Sequence, residues 1–249
     1  MVILKTQQEL QKMRKAGALT AQALHAGGSA VRPGVTTAEI DHVVHDFITR
    51  HGAVPSFLGY GGFPASACIS VNDEVIHGIP GGKVIREGDI VSIDVGAKIG
   101  GYHGDSAYTF PCGRISDEAQ SLLDATKLAL EKGIAAAQPG SRIGDVAHAV
   151  QSTVEPLGFS VVREYVGHGV GRDLHEEPEV PNFGHAGHGI RLVPGMVIAI
   201  EPMINAGAFA VKVLGNDWTV VTRDGSLSAH FEHTVAITPG GPVILTSLP

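Results

Sequence analysis

The chain has 249 residues, 43% of them hydrophobic and 17% charged, which is enough apolar material for a full core and excludes an intrinsically disordered chain. A net charge of −7 with no Lys/Arg cluster excludes a nucleic-acid groove. Two cysteines, Cys68 and Cys112, exclude a disulfide framework, and no apolar run reaches the roughly 18 to 20 residues of a membrane span, so a soluble cytoplasmic protein is expected.

In chain order, Thr6-Gln7-Gln8-Glu9 and Thr36-Thr37-Ala38-Glu39 are capping-box patterns, in which the threonine and the glutamate satisfy each other's free backbone amides. They predict two early helices separated by Arg32-Pro33-Gly34. EGDIVSID (87–94) then reads as a turn and a near-continuous apolar strand ending in Asp94. Ile99-Gly100-Gly101 marks a hairpin, because glycines supply the positive φ angles of tight turns, and Asp105 follows on the return strand. A two-residue loop of Ile99 and Gly100 would pair Lys98 with Gly101 and set Asp94 directly opposite Asp105. Like charges so placed destabilise a sheet, so a cation is expected between them. A loop of all three residues would send the two acids to opposite faces.

The second half repeats the order. A helix is expected from about Ser116 to Ala137, then Gln138-Pro139-Gly140, then a helix opened by Ser141 and running toward Pro156. PGMVIAIE (194–201) aligns with EGDIVSID at an offset of 107 residues. The pattern predicts one domain over 1–249 made of two duplicated helix-helix-strand-strand halves, roughly 1–112 and 113–249. Glu201 becomes the counterpart of Asp94, and LSAHFEHTVAI (227–237) offers Glu232 as the counterpart of Asp105. Burying such carboxylates without counter-charge costs on the order of several kcal/mol each, a cost that metal cations remove.

EYVGHGVGRDLHEEPEV (164–180) adds His168, flanked by glycines that would let the backbone approach a ligand, and His175. His77, in NDEVIHGIPGG, adds a third imidazole. Mainly oxygen donors with one nitrogen suit Mn²⁺, Fe²⁺, Co²⁺ or Zn²⁺, and such a set can hold two ions with bridging carboxylates. Hydrolysis is the natural chemistry.

The runs CISVNDEVIHGIP, SIDVGAKIGGYHGDSA, REYVGHGVGRDLHEEPEVPNF, IAIEPMINAG and LSAHFEHTVAIT together resemble the type I methionine aminopeptidases over essentially the whole chain. The resemblance implies the α/β (α+β) pita-bread fold of creatinases and aminopeptidases, a pseudo-twofold pair of αα-ββ halves around a curved antiparallel sheet. It implies that Asp94 binds one divalent ion (Mn, Co, Fe or Zn), that His168 and Glu201 bind a second, and that Asp105 and Glu232 bridge them. The implied reaction removes the initiator methionine from nascent polypeptides when the second residue is small, by attack of a water or hydroxide held between the two ions. Glu201 resembles the general base, His175 the group stabilising the tetrahedral intermediate, and His77 the contact to the cleaved amide.

Tyr60, Phe63, Cys68 and Trp218 match the family's pocket for the methionine side chain. Phe57, Gly61, Phe63 and Leu174 depart from a frequent cysteine, histidine, tyrosine and phenylalanine, which changes the expected pocket shape. Some relatives bind a monovalent cation through backbone carbonyls near Asn72 and Ser228. The resemblance is to members expected to lack an N-terminal zinc-binding extension and the type II helical insertion. A monomer acting at the ribosome, without nucleic-acid or membrane partners, is expected. The alternatives are an X-Pro aminopeptidase or prolidase of the same fold, an inactive binding protein of that fold, and an iron oxygenase using His168, His175 and one acid.

Overall fold

The structure, a computed structural model, describes residues 1–248. Helices α1 (Gln7–Ser29) and α2 (Thr37–Arg50) start where their threonines dictate. Thr6 and Thr36 accept the N–H of Glu9 and Glu39 at 3.3 and 3.2 Å, and the two carboxylates accept the threonine N–H groups at 2.9 and 2.8 Å. Along α2, Ile40, Val44 and Ile48 recur every fourth residue as one buried stripe. That stripe packs with Ile69, Val91, Ile93 and Val95 of the first hairpin and its neighbouring strand. Each such side chain contributes roughly 1.5–3 kcal/mol.

The second helical pair is α3 (Asp117–Ala136) and α4 (Ile143–Val154). Ser116 caps α3 by accepting the Ala119 N–H. The expectation for Ser141 needs correction: α4 opens two residues later. The Ser141 hydroxyl turns back and donates to the carbonyls of Ala136 and Gln138 at the end of α3, while the Asp145 carboxylate accepts the Arg142 N–H at 2.7 Å. Both helices pack on the second half's strands through Leu122, Ala129, Val146 and Val150 against Ile198, Ile200 and Ile204.

All the strand pairings are antiparallel. In the first half, Ile90–Ile99 lies between Ala67–Val71 and Tyr102–Pro111. In the second, the order is Gly241–Ile244, His233–Thr238, Val197–Ile200, Gly167–Gly169, Glu176–Val180. Among the described residues no helix is long and apolar enough to cross a membrane.

The first hairpin corrects the expected register. Ile99 pairs with Tyr102, so the loop is Gly100-Gly101, with φ of 61° and 83°. A primed turn needs positive φ at both central residues, which two glycines supply and Ile99 would resist. Gly96 therefore faces Asp105, and Asp94 faces Ala107. The two acids share a face but stand diagonally, one pleat apart.

The second hairpin is interrupted at Pro202, which has no N–H for a ladder, yet its register carries through: Ile200 pairs with His233 and Met203 with His230. Phe231 donates to the Pro202 carbonyl at 3.3 Å in between. Glu201 thus lies across from Glu232, and His230 takes the place that Asp105 holds in the first hairpin. The expected match of Asp105 with Glu232 is two residues out, because the unequal loops between the strands hid the register.

Where the hairpins meet, hydroxyls replace part of the ladder. Thr234 Oγ1 accepts the Asp105 N–H at 3.0 Å and donates to the Asp105 carbonyl at 2.7 Å. Thr109 Oγ1 does the same for His230, at 2.9 Å both ways.

Candidate metal centre

Five side chains converge at this seam. Asp94 and Asp105 come from the first hairpin, Glu201 and Glu232 from the second, and His168 from Gly167–Gly169, which lies between Glu176–Val180 and Val197–Ile200. Ligand atoms of Asp105, His168 and Glu232 all lie within 4.8 Å of one another. His168 Nε2 is 3.6 Å from Asp105 Oδ2 and 3.6 Å from Glu201 Oε1. The glycines beside His168 serve packing between strands. A Cβ on Gly167 would fall 2.3 Å from the Ala199 carbonyl oxygen, and one on Gly169 would fall 2.3 Å from that of Glu177. They let neighbouring strands close on the histidine's strand.

Crowded and buried together, these groups carry a charge problem that a bound cation would relieve. Burial pushes the Asp94 carboxyl up to about 7, with Glu201 adding to the rise and His230 opposing it, and burial pushes Glu201 up to about 8. Asp105 and Glu232 are raised well above the ordinary carboxylate range by burial, and then by the neighbouring acids. His168 is held down to about 3 by burial and then by His175, so its contacts to the acids are not ion pairs. Its Nδ1 lies 2.8 Å from the Gly169 carbonyl, which can only accept, so the proton sits there and Nε2 turns a lone pair toward the carboxylate oxygens. Lone pairs facing lone pairs repel unless a proton or a metal cation lies between them. Asp94 Oδ1, Asp105 Oδ1 and Glu232 Oε1 are also buried without a hydrogen-bond partner. The donor set fits divalent cations.

A cavity of about 230 Å³ opens over these groups. All the expected site residues line it: the five above, His77 and His175, and the pocket residues Tyr60, Phe63, Cys68 and Trp218. Phe57, Gly61 and Leu174 line it as well. His175 Nδ1 lies 2.8 Å from the Tyr60 hydroxyl, and its ring centre is 4.0 Å from that of His168. His77 has a φ of 57°, a strained angle for a side-chain-bearing residue, and is kept neutral mainly by burial, which lowers it to about 4. Its ring stands edge-on to Tyr165 and Trp218.

Sequence reasoning did not single out Ile76, Tyr165 and Val166, which complete the cavity wall, or Asn182, whose Nδ2 donates to the Glu201 carbonyl at 3.0 Å. It also passed over His230, buried with Nε2 at 3.6 Å from Glu201 Oε2. The position of His230, two residues before Glu232 in LSAHFEHTVAI, was the available signal.

The signature of metallopeptidase family M24 matches residues 11–239. The chain is 54% identical to methionine aminopeptidase 1 of Bacillus subtilis over 99% of both chains, and 54% identical to the methionine aminopeptidase of Clostridium perfringens over the same shares. Among solved structures, the methionine aminopeptidase of Thermotoga maritima superposes with a TM-score of 0.98 at 47% identity, covering 99% of this chain and 100% of that one. The prolidase of Pyrococcus furiosus, at 23% identity, a TM-score of 0.79 and 66% of its own length covered by a match to 99% of this chain, shares the fold alone. This chain belongs to metallopeptidase family M24, among its methionine aminopeptidases, and has the pita-bread fold of that family.

Proposed function

We propose that this chain removes the N-terminal methionine from nascent polypeptides whose second residue is small, with Asp94, Asp105, His168, Glu201 and Glu232 holding two divalent cations. The observation that carries the reading is the set of partnerless carboxylate oxygens around the lone pair of a neutral His168. When bound, the ions supply Lewis-acid polarisation of the scissile carbonyl and ready deprotonation of the attacking water. Glu201 accepts that proton and returns it to the leaving amine. Its place in the cavity beside the other proposed ligands supports the role.

Tyr60 donating its O–H to His175 Nδ1 leaves the proton of the neutral ring on Nε2, free to be donated to the substrate carbonyl oxygen as negative charge builds there. His77, neutral and fixed by its strained backbone, faces the cleaved amide. The methionine side chain lies against Phe63, Cys68 and Trp218, where sulfur and aromatic edges attract. Phe57 and Leu174 in the same wall narrow it and set its tolerance.

The ions are drawn from Mn, Co, Fe and Zn, all of which this donor set accepts, with availability deciding among them. A monovalent cation held by backbone carbonyls is placed near Asn72 and Ser228, two segments joined by the Ser228 N–H donating to the Asn72 carbonyl at 2.9 Å. The chain acts as a cytoplasmic monomer on polypeptides emerging at the ribosome. The equivalent registers of the two hairpins support one catalytic domain over 1–249 built from two related halves.

The test is methionine release from Met-Ala-Ser after chelator dialysis. Activity should vanish without metal, return with Mn²⁺ or Co²⁺, and fall by about 10²–10⁴ in Glu201→Gln. No release with any of the four metals, together with cleavage of Xaa-Pro peptides, would overturn the reading in favour of the prolidase alternative.

A further inference from the structure

His230 has no part in the scheme above. It is 2% exposed, and its Nε2 has no hydrogen-bond partner. That atom lies 3.6 Å from Glu201 Oε2, while Glu201 Oε1 lies 3.6 Å from His168 Nε2. The carboxylate is therefore flanked by two imidazoles, one on each oxygen. The placement of His230 is built into the fold: its backbone is clasped by the Thr109 hydroxyl just as the backbone of Asp105 is clasped by that of Thr234. The second hairpin thus carries a neutral ring where the first carries an acid.

A carboxylate that turns one oxygen to the metal centre and moves a proton on the other needs a fixed plane. His168 cannot fix it by donation, because its proton is committed to the Gly169 carbonyl. We propose that His230 is the positioning residue for Glu201: with its proton on Nε2 it donates to Oε2 and holds Oε1 toward His168. A shift of about 0.7 Å brings the present separation to the ordinary length of a charge-assisted N–H···O bond. This role rests on the reading of Glu201 as the proton carrier. The competing role for the same atom, an unprotonated Nε2 serving as a second nitrogen donor to the cations, leaves opposite signatures.

The experiment combines ¹⁵N-histidine NMR of the wild-type protein, metal-free and Zn²⁺-loaded, with kinetics and Zn²⁺ calorimetry of His230→Gln and His230→Met. The expected results are a proton bonded to His230 Nε2 in both wild-type states and unchanged numbers of ions bound by both variants. His230→Met should lose about 10- to 100-fold in kcat with KM little changed, and His230→Gln, which keeps an N–H donor, should recover most of that loss. An unprotonated Nε2, the loss of one bound ion in both variants, an unaffected kcat in His230→Met, or equal kcat losses in the two variants would each overturn the proposal. The NMR arm needs no variant to fold. Wild-type methionine release, measured on the same preparation, separates failure of this assignment from failure of the proposed function.

Discussion

Lys5→Met is the sharpest test of how the segment carrying His175 is held. Lys5 Nζ lies 2.6 Å from Glu176 Oε2, with the two side chains 3% and 4% exposed, and also donates to the Ile3 carbonyl. Glu176 Oε1 accepts the N–H groups of Arg172 and Asp173 at 2.9 and 3.4 Å, closing the turn that precedes His175. Removing the ammonium leaves a buried carboxylate whose Oε2 has lost its partner. Breaking a buried pair from one side costs about 3–5 kcal/mol. Because two backbone amides still hold Oε1, the low end applies, about 3 kcal/mol, or a melting temperature lower by about 6–12 °C for a chain of this size. Circular-dichroism melts of the metal-free protein would measure it. Lys5→Met/Glu176→Gln, with both charges gone, should regain most of the loss. A drop below about 2 °C in the single variant, or a double variant as damaged as the two singles added together, would refute the reasoning.

The raised carboxyls give the metal-free protein a pH-dependent weakness. The folded chain keeps protons on Asp94 up to about 7 and on Glu201 up to about 8, whereas the unfolded chain releases them near the ordinary value of about 4. This contribution favours folding fully below pH 4 and is lost as pH rises through 7 and 8. The melting temperature of the metal-free protein should therefore fall over that window, and saturating Mn²⁺ should remove the fall; parallel curves with and without metal would contradict it. Gly167→Ala should cost at least about 2 kcal/mol, since its Cβ meets a backbone oxygen that cannot rotate away. Urea unfolding with an unchanged midpoint would count against that.

Signals carried by neighbouring residues were the most legible in the chain. The two capping boxes set the starts of α1 and α2 because threonine and glutamate act on amides within one turn. Ser141 misled because a hydroxyl can serve carbonyls behind it as well as amides ahead, and only the three-dimensional course of the chain selects between them. The acids were visible as charges breaking apolar strands, and the offset between EGDIVSID and PGMVIAIE tied Glu201 to Asp94. What failed was register, which depends on which residues of a turn take positive φ and on loops of unequal length. That one-pleat uncertainty misplaced Asp105 relative to Asp94 and hid His230 in a run that reads as ordinary core. Ile76 and Val166 could not be told from interior residues, since an apolar cavity wall and an apolar core carry the same composition.

The Gly100-Gly101 turn acts as a ruler for chemistry performed elsewhere in the hairpin. One residue added there with the two-residue turn kept would slide the return strand by one, and strand alternation would turn Asp105 outward and bring Gly104 or Ser106 to the cavity in its place. Such a protein would keep every acid and histidine in its sequence and lose a corner of its cage. Surface turns ordinarily tolerate changes of length. Here a change of length alters the composition of the metal centre.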